Sequence, residues 1–129
     1  MVGIVLVSHS SKLAEGVKEI AIQMTPDIKI ETAGGTCDGR IGTDMNKIST
    51  AINNAYSEDG VAVFFDLGSA LMNTEMAIEF LDDDIKKNIH IIDAPIVEGA
   101  IVGAVNASMN KSIDEIISAL KDIRINKIQ

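Results

Sequence analysis

The sequence predicts an α/β protein: one domain over residues 1–129, built on a four-stranded, mainly parallel sheet of order 2-1-3-4 with helices on both faces. Three observations lead there. Strand-length apolar runs alternate with helix-length amphipathic stretches four times along the chain. Val2–Val7 and Val61–Phe65 are nearly or wholly apolar, the pattern of strands covered on both faces. Repeated strand–helix–strand units call for right-handed crossovers, which lay helices on the two faces of a parallel sheet.

The elements follow in order. After Val2–Val7, the residues Leu13, Val17, Ile20, Ala21 and Met24 recur at helical spacing, with Glu15, Lys18, Glu19 and Gln23 turned away from them, and Pro26 closes the helix. Lys29–Thr32 reads as a short second strand. A glycine-rich loop, Ala33–Thr43 ("AGGTCDGRIGT"), comes next, followed by a helix marked by Met45, Ile48, Ile52 and Ala55. Val61–Phe65 is the third strand. Asp66 ends it, Gly68 turns the chain, and a helix runs from Ser69 to about Leu81, with Asp82–Asp84 as its solvent-facing end. Ile89–Ile92 is the fourth strand. The helix after it carries Gly99, Gly103 and Ala107 four apart, a stripe suited to close packing on the sheet or, as the second choice, to a dimer interface. Ser112 and Glu115 form a capping box for a last helix with Ile113, Ile116, Ile117, Leu120 and Ile123 inward. The tail after Arg124 is expected to fray, and the six methionines read as packing residues.

Composition narrows the function. A net charge of −8 argues against a protein that wraps nucleic acid through its phosphates, and 3% aromatics leaves little for base stacking. The one cysteine, Cys37, excludes an internal disulfide and fits a reducing compartment; it is expected as an incidental buried or half-buried thiol. No basic leader precedes the first apolar run, and no stretch is long and apolar enough to span a bilayer, so a cytoplasmic protein is expected, without a membrane partner.

The polar segments Ser8–Ser11, Ala33–Thr43, Asp66–Ser69 and Asp93–Gly99 each follow a strand. They therefore gather at the carboxyl edge of the sheet, where open α/β folds bind ligands, and with this strand order His9 and Asp66 flank the crevice. A hydrogen bond from one ring nitrogen of His9 to Asp66 fixes the other as an outward lone pair, and no G-x-S-x-G elbow offers a competing nucleophile. A phosphoryl group on that nitrogen would lie at the start of the first helix, within reach of backbone N–H groups and the hydroxyls of Ser10 and Ser11. There is no nucleotide-binding G-x-x-x-x-G-K-[ST] loop, so the group would come from another protein. His90, at the start of the fourth strand, lies at the opposite end of the sheet and reads as structural.

Four motifs in order, "GIVLVSHS", "GGTCDGRIGT", "DLGSALMN" and "IVEGA", carry a family resemblance that extends to about Asp122. The chain resembles the phosphotransferase subunits of bacterial dihydroxyacetone kinases that draw on phosphoenolpyruvate, whose phosphocarrier domain is similar to mannose-type enzyme IIA. The pair "GGT-x-DGRIGT" and "DLGSA" favours this branch over a sugar-transporting mannose-type domain. The resemblance implies that His9 accepts a phosphoryl group from the histidine phosphocarrier protein HPr, as tele-phosphohistidine, and that Asp66 orients the ring. It further implies transfer to ADP in a nucleotide-binding kinase subunit (DhaL), phosphorylation of the triose on a dihydroxyacetone-binding subunit (DhaK), no cofactor or metal on this chain, and a homodimer. Because the sequence stops after one carrier domain, the donor is expected to be a free protein.

Around the two central residues, Gly35, Thr36 and Thr43 are candidates to lend hydrogen-bond donors, Thr43 equally as a helix cap. Arg40 reads either as a steadying charge on the phosphoryl group or as half of an ion pair with Asp38 that shapes the loop. Ser69 reads either as a site residue or as the cap of the third helix. Two rival classes share parts of this pattern. A small tetrapyrrole metal chelatase also places a histidine after its first strand but needs further ligands. A receiver domain would be phosphorylated on Asp66 but needs an acidic pair where Ser8 and His9 stand.

Overall fold

The computed structural model describes residues 1–123; the expected fraying tail lies outside the described residues. The elements are β1 (Gly3–Ser8), α1 (Ser11–Met24), β2 (Ile30–Gly34), α2 (Met45–Ala55), β3 (Val61–Phe65), α3 (Gly68–Glu79), a single turn α4 (Asp83–Lys86), β4 (Ile89–Ile92), α5 (Ile96–Ser108) and α6 (Ile113–Leu120), which runs into a 3-10 turn at Lys121–Ile123. The strands form one sheet of order β2-β1-β3-β4, and every pairing is parallel. The expected architecture and strand order are the observed ones. Among the described residues no helix is long and apolar enough to cross a membrane.

Alternation along the strands divides the core in two. Ile4, Leu6, Ala62, Phe64 and Ile92 face α1, α5 and α6, while Val5, Val7, Val61, Val63 and Phe65 face α2 and α3. With both faces covered, the central strands have no solvent side to keep polar, which is why their sequences lack the alternation of a half-exposed sheet. Gly99 and Gly103 belong to sheet packing. A Cβ on Gly103 would stand 2.8 Å from Cζ of Phe64, and one on Gly99 would stand 3.2 Å from two carbons of the same ring. The fully buried Phe64 ring thus nests in a groove that glycine opens, a burial worth about 1.5–3 kcal/mol.

Several local expectations are corrected. On α1 the inward positions belong to Ala14, Val17 and Ala21; Leu13, Ile20 and Met24 are exposed. The apolar arc on that helix is wider than the face it buries, and the small residues take the close contact. The methionines are mostly at the surface: Met1, Met24, Met72, Met76 and Met109 are all exposed. On α3 this follows from close packing, because Ala70, Thr74 and Ala77 occupy the inward positions and the buried Thr74 hydroxyl donates back to the Ala70 carbonyl at 2.8 Å. On α6 Ile116 and Leu120 are buried, whereas Ile117 is partly exposed. The acidic run at 82–84 begins the separate turn α4 rather than ending α3.

Candidate active site: an imidazole held by a four-donor carboxylate

β1 and β2 each extend further toward the site than their apolar runs suggest. Ser8 pairs with Gly34 in the ladder, so both are strand residues, and the site starts at His9. Strand pairing then places the end of β3 beside the end of β1: Val7 pairs with Phe65, and the Asp66 N–H donates to the Val7 carbonyl at 3.2 Å. Two residues distant in sequence, His9 and Asp66, are thereby delivered to one crevice by the strand order alone.

Asp66 accepts at least four hydrogen bonds there. Its Oδ1 receives His9 Nδ1 at 3.0 Å and the Leu67 N–H at 2.6 Å. Its Oδ2 receives the Ser8 hydroxyl at 2.8 Å and the His9 N–H at 3.0 Å. Partial burial works to raise the carboxyl's proton affinity, but the bonds from the His9 backbone and ring, Ser8 and Leu67 together hold it below the ordinary carboxylate value. At neutral pH the carboxylate has no proton to give, so the bond to Nδ1 requires a proton on that ring nitrogen. In the neutral imidazole Nε2 then carries the lone pair, and the Ser69 hydroxyl, 2.7 Å away, is its donor. The His9 side chain is 20% exposed, so the ring is fixed on one side and reachable on the other.

The other candidates fall into place around it. Ser10 is the N-cap of α1: its hydroxyl accepts the Leu13 N–H at 3.2 Å, while its own N–H donates to Ser8 Oγ at 3.0 Å. Ser11 is the exposed first residue of the helix, whose opening N–H groups have no partners within the helix. Ser69 does not cap α3; Leu67 occupies that position without a side-chain bond, which leaves Ser69 to the imidazole. Thr43 does not cap α2 either, since Asp44 does so by accepting from the Asn46 and Lys47 N–H groups. Thr43 instead accepts from Asn73 Nδ2, tying the glycine loop to α3.

That loop is stitched to the site through its backbone. The Gly35 N–H donates to the Ser8 carbonyl at 3.0 Å, and the Gly42 N–H to the His9 carbonyl at 2.8 Å. Gly35 and Thr36 therefore spend their donors on the scaffold: the Thr36 N–H goes to the Arg40 carbonyl, and its hydroxyl goes to Asp38. Arg40 forms the ion pair with Asp38, Nε to Oδ2 at 2.9 Å, with its side chain 80% exposed at the loop surface. Cys37 is exposed, not buried as expected, because the loop turns it outward beside Asp44. Gly34 has a steric task. A Cβ there would stand 2.6 Å from the Ser11 Cα, so Gly34→Ala must push the loop away from the start of α1. The expected cost is about 2–4 kcal/mol, measured as a lowered denaturation midpoint.

His90 lies on β4 opposite Ala62, toward the amino end of the sheet and away from His9. Among the described residues no group of three or more His, Cys, Asp or Glu side chains is arranged to hold a metal ion. A concavity of about 480 Å³ lined by Glu15, Glu31, Cys37, Asp44 and Lys47 sits at the β2 edge, and His9 is not part of its wall. Sequence reasoning did not assign Ser8 a role. Its signal was a serine closing an otherwise apolar, doubly covered strand, where a buried hydroxyl needs a partner.

Comparison with known proteins agrees with this geometry. Residues 3–117 match the EIIA-man family model, described as the PTS system fructose IIA component. A Listeria innocua protein named PEP-dependent dihydroxyacetone kinase 2, phosphoryl donor subunit DhaM, is 40% identical over 95% of this chain and 99% of its own length. An Escherichia coli protein with the corresponding name, PEP-dependent dihydroxyacetone kinase, phosphoryl donor subunit DhaM, is 42% identical over 91% of this chain, which spans only 26% of that longer protein. The crystal structure of a protein of unknown function superposes with a TM-score of 0.84 at 38% identity, covering 94% of this chain and 93% of that one. A histidine and an aspartate meeting at the carboxyl ends of β1 and β3, in a chain so matched, place this protein in the mannose-type enzyme IIA family, in the branch of the dihydroxyacetone kinase phosphoryl donor subunits.

Proposed function

We propose that this chain is the phosphocarrier subunit of a phosphoenolpyruvate-dependent dihydroxyacetone kinase. The observation that carries the reading is the division of labour on the His9 ring: Nδ1 is held by Asp66, and Nε2 faces the accessible side with a hydroxyl at 2.7 Å. In the first transfer the Nε2 lone pair attacks the phosphorus of a phosphohistidine on the donor protein HPr. The donor's P–N bond breaks as the P–Nε2 bond forms, and no proton leaves Nε2. The positive charge that develops on the ring is met by the Asp66 carboxylate through Nδ1–H. In the second transfer a β-phosphate oxygen of ADP, bound in the nucleotide-binding kinase subunit, displaces Nε2 and regenerates the neutral ring. A third subunit holds the dihydroxyacetone that is finally phosphorylated.

The phosphoryl oxygens rest where Ser69 now bonds Nε2 and where Ser10 and Ser11 open α1. A helix N-terminus favours an anion by about 0.3–1 kcal/mol, a modest hold that suits a group to be passed on. Arg40, at the tip of the loop stitched to His9, supplies a cation on leaving Asp38. Ser69→Ala removes the donor to Nε2 and to the transferred group, and is expected to slow phosphorylation by roughly 3–10-fold with the fold unchanged, read from initial rates of label uptake. A homodimer, no resident cofactor and ADP held only by the partner complete the reading.

The function is tested by reconstitution. Phosphoenolpyruvate, enzyme I, HPr and the two kinase subunits should form dihydroxyacetone phosphate only when this chain is added. Phosphorylation of the chain by HPr without any triose phosphate would point instead to a sugar-transporting IIA role.

A further inference from the structure

We propose that Ser8 is a positioning residue that sets the tautomer of His9 through Asp66, an assignment that rests on the phosphocarrier reading for its meaning but not for its test. Ser8 is completely buried, and its hydroxyl has two partners, both within the site. Oγ accepts the Ser10 N–H at 3.0 Å and donates to Asp66 Oδ2 at 2.8 Å. The direction of each bond is fixed by chemistry. The backbone N–H can only donate, and the ionised carboxylate can only accept, so the one hydroxyl proton points at Asp66.

The geometry explains why this matters. The two oxygens of Asp66 are not equivalent: Oδ1 serves the His9 ring and Oδ2 is anchored by Ser8 and the His9 N–H. The His9 N–H moves with the residue it would have to orient, whereas Ser8 is fixed in the β1 ladder against Gly34. Ser8 is thus a fixed anchor on Oδ2, as the Leu67 N–H is on Oδ1, and the hydroxyl helps to stop the carboxylate from turning about its Cβ–Cγ bond and to keep Oδ1 aimed at Nδ1. With that aim lost, the proton is free to reside on Nε2, and the ring becomes a poor nucleophile at the accessible nitrogen. The same hydroxyl ties Asp66 to the Ser10 N–H, so the orienting carboxylate and the helix start that faces the phosphoryl group are held in one register.

The test compares wild type, Ser8→Ala and Ser8→Thr by ¹⁵N spectroscopy of the His9 ring at a pH where an ordinary imidazole is neutral, together with initial rates of phosphoryl uptake from phosphorylated HPr. Wild type and Ser8→Thr are expected to show the Nδ1–H tautomer. Ser8→Ala is expected to show a several-fold larger Nε2–H fraction and roughly tenfold slower uptake, the scale of one hydrogen bond to a charged group. Slower uptake in Ser8→Ala with an unaltered tautomer ratio would mean that Ser8 only supports the fold, and would overturn the assignment, as would wild-type behaviour in both readouts. If Ser8→Ala fails to fold, Ser8→Cys, a weak donor of similar shape, replaces it, with an intermediate tautomer ratio expected and an unaltered one overturning the assignment. Should wild type take up no phosphoryl group, the phosphocarrier reading fails while the tautomer comparison still decides the role of Ser8.

Discussion

His9→Ala should abolish phosphoryl uptake entirely while the protein stays folded. The imidazole supplies the nucleophilic lone pair that the site aims outward, and the groups beside it are otherwise engaged: Ser8 is buried, Ser10 caps α1, Ser69 bonds the ring, and the Asp66 carboxylate accepts from Ser8, His9 and Leu67. The structural cost is small because the ring is partly exposed and the backbone N–H of residue 9 still reaches Asp66 Oδ2. Loss of one bond to the carboxylate should lower stability by about 1–2 kcal/mol. Label transferred from radioactive phosphoenolpyruvate, measured beside a denaturation curve, checks both halves. A labelled His9→Ala protein would place the acceptor elsewhere, and base-lability of that label would identify Asp66 and the receiver class.

Asp66→Asn is the second large effect. An amide presents one acceptor and one NH₂ where the site needs two acceptors. With its oxygen toward the ring, the NH₂ confronts the Ser8 hydroxyl and the His9 N–H; turned over, it confronts Nδ1 and the Leu67 N–H. Neither orientation satisfies the site, and both remove the negative charge that the proposed transfer sets against the ring. Uptake should fall by roughly 30- to 300-fold, a range matching one lost charge-assisted bond plus a disfavoured tautomer. The variant also has a pH signature. The folded-state value of Asp66 is depressed, so its contribution to stability is complete above the unfolded carboxylate value, near 3.9, and is lost as pH falls through the lower folded value. Asp66→Asn should therefore unfold with a flatter dependence on pH in that acid window than wild type. Equal slopes would show that Asp66 gains nothing from its four donors.

The sequence made the framework legible because one physical cause wrote both. Strands covered on two faces must be apolar throughout, as Val61–Phe65 is, and parallel connections send every following loop to one edge. His9 and Asp66 could be placed together from those two facts. The finer features were hidden where two roles share one residue type. Ser69 and Thr43 both stand at helix starts and look like caps, but residues within two positions of them set the caps, Leu67 by backbone alone and Asp44 by its carboxylate. Helix faces misled for a related reason: Leu13, Ile20 and Met72 lie at apolar-looking positions, yet the closest approach to the sheet is taken by Ala14, Ala70, Thr74 and Ala77. Ser8 was missed because a strand-end hydroxyl looks like the start of a loop until the ladder is seen to continue through it to Gly34.

If Asp66 holds Nδ1 so that Nε2 does the chemistry, ³¹P–¹⁵N spectroscopy of the phosphorylated protein carrying ¹⁵N-histidine should find phosphorus bonded to Nε2 of His9, with a proton retained on Nδ1. A bond to Nδ1, or phosphorus on any other residue, would rule that division of the ring out.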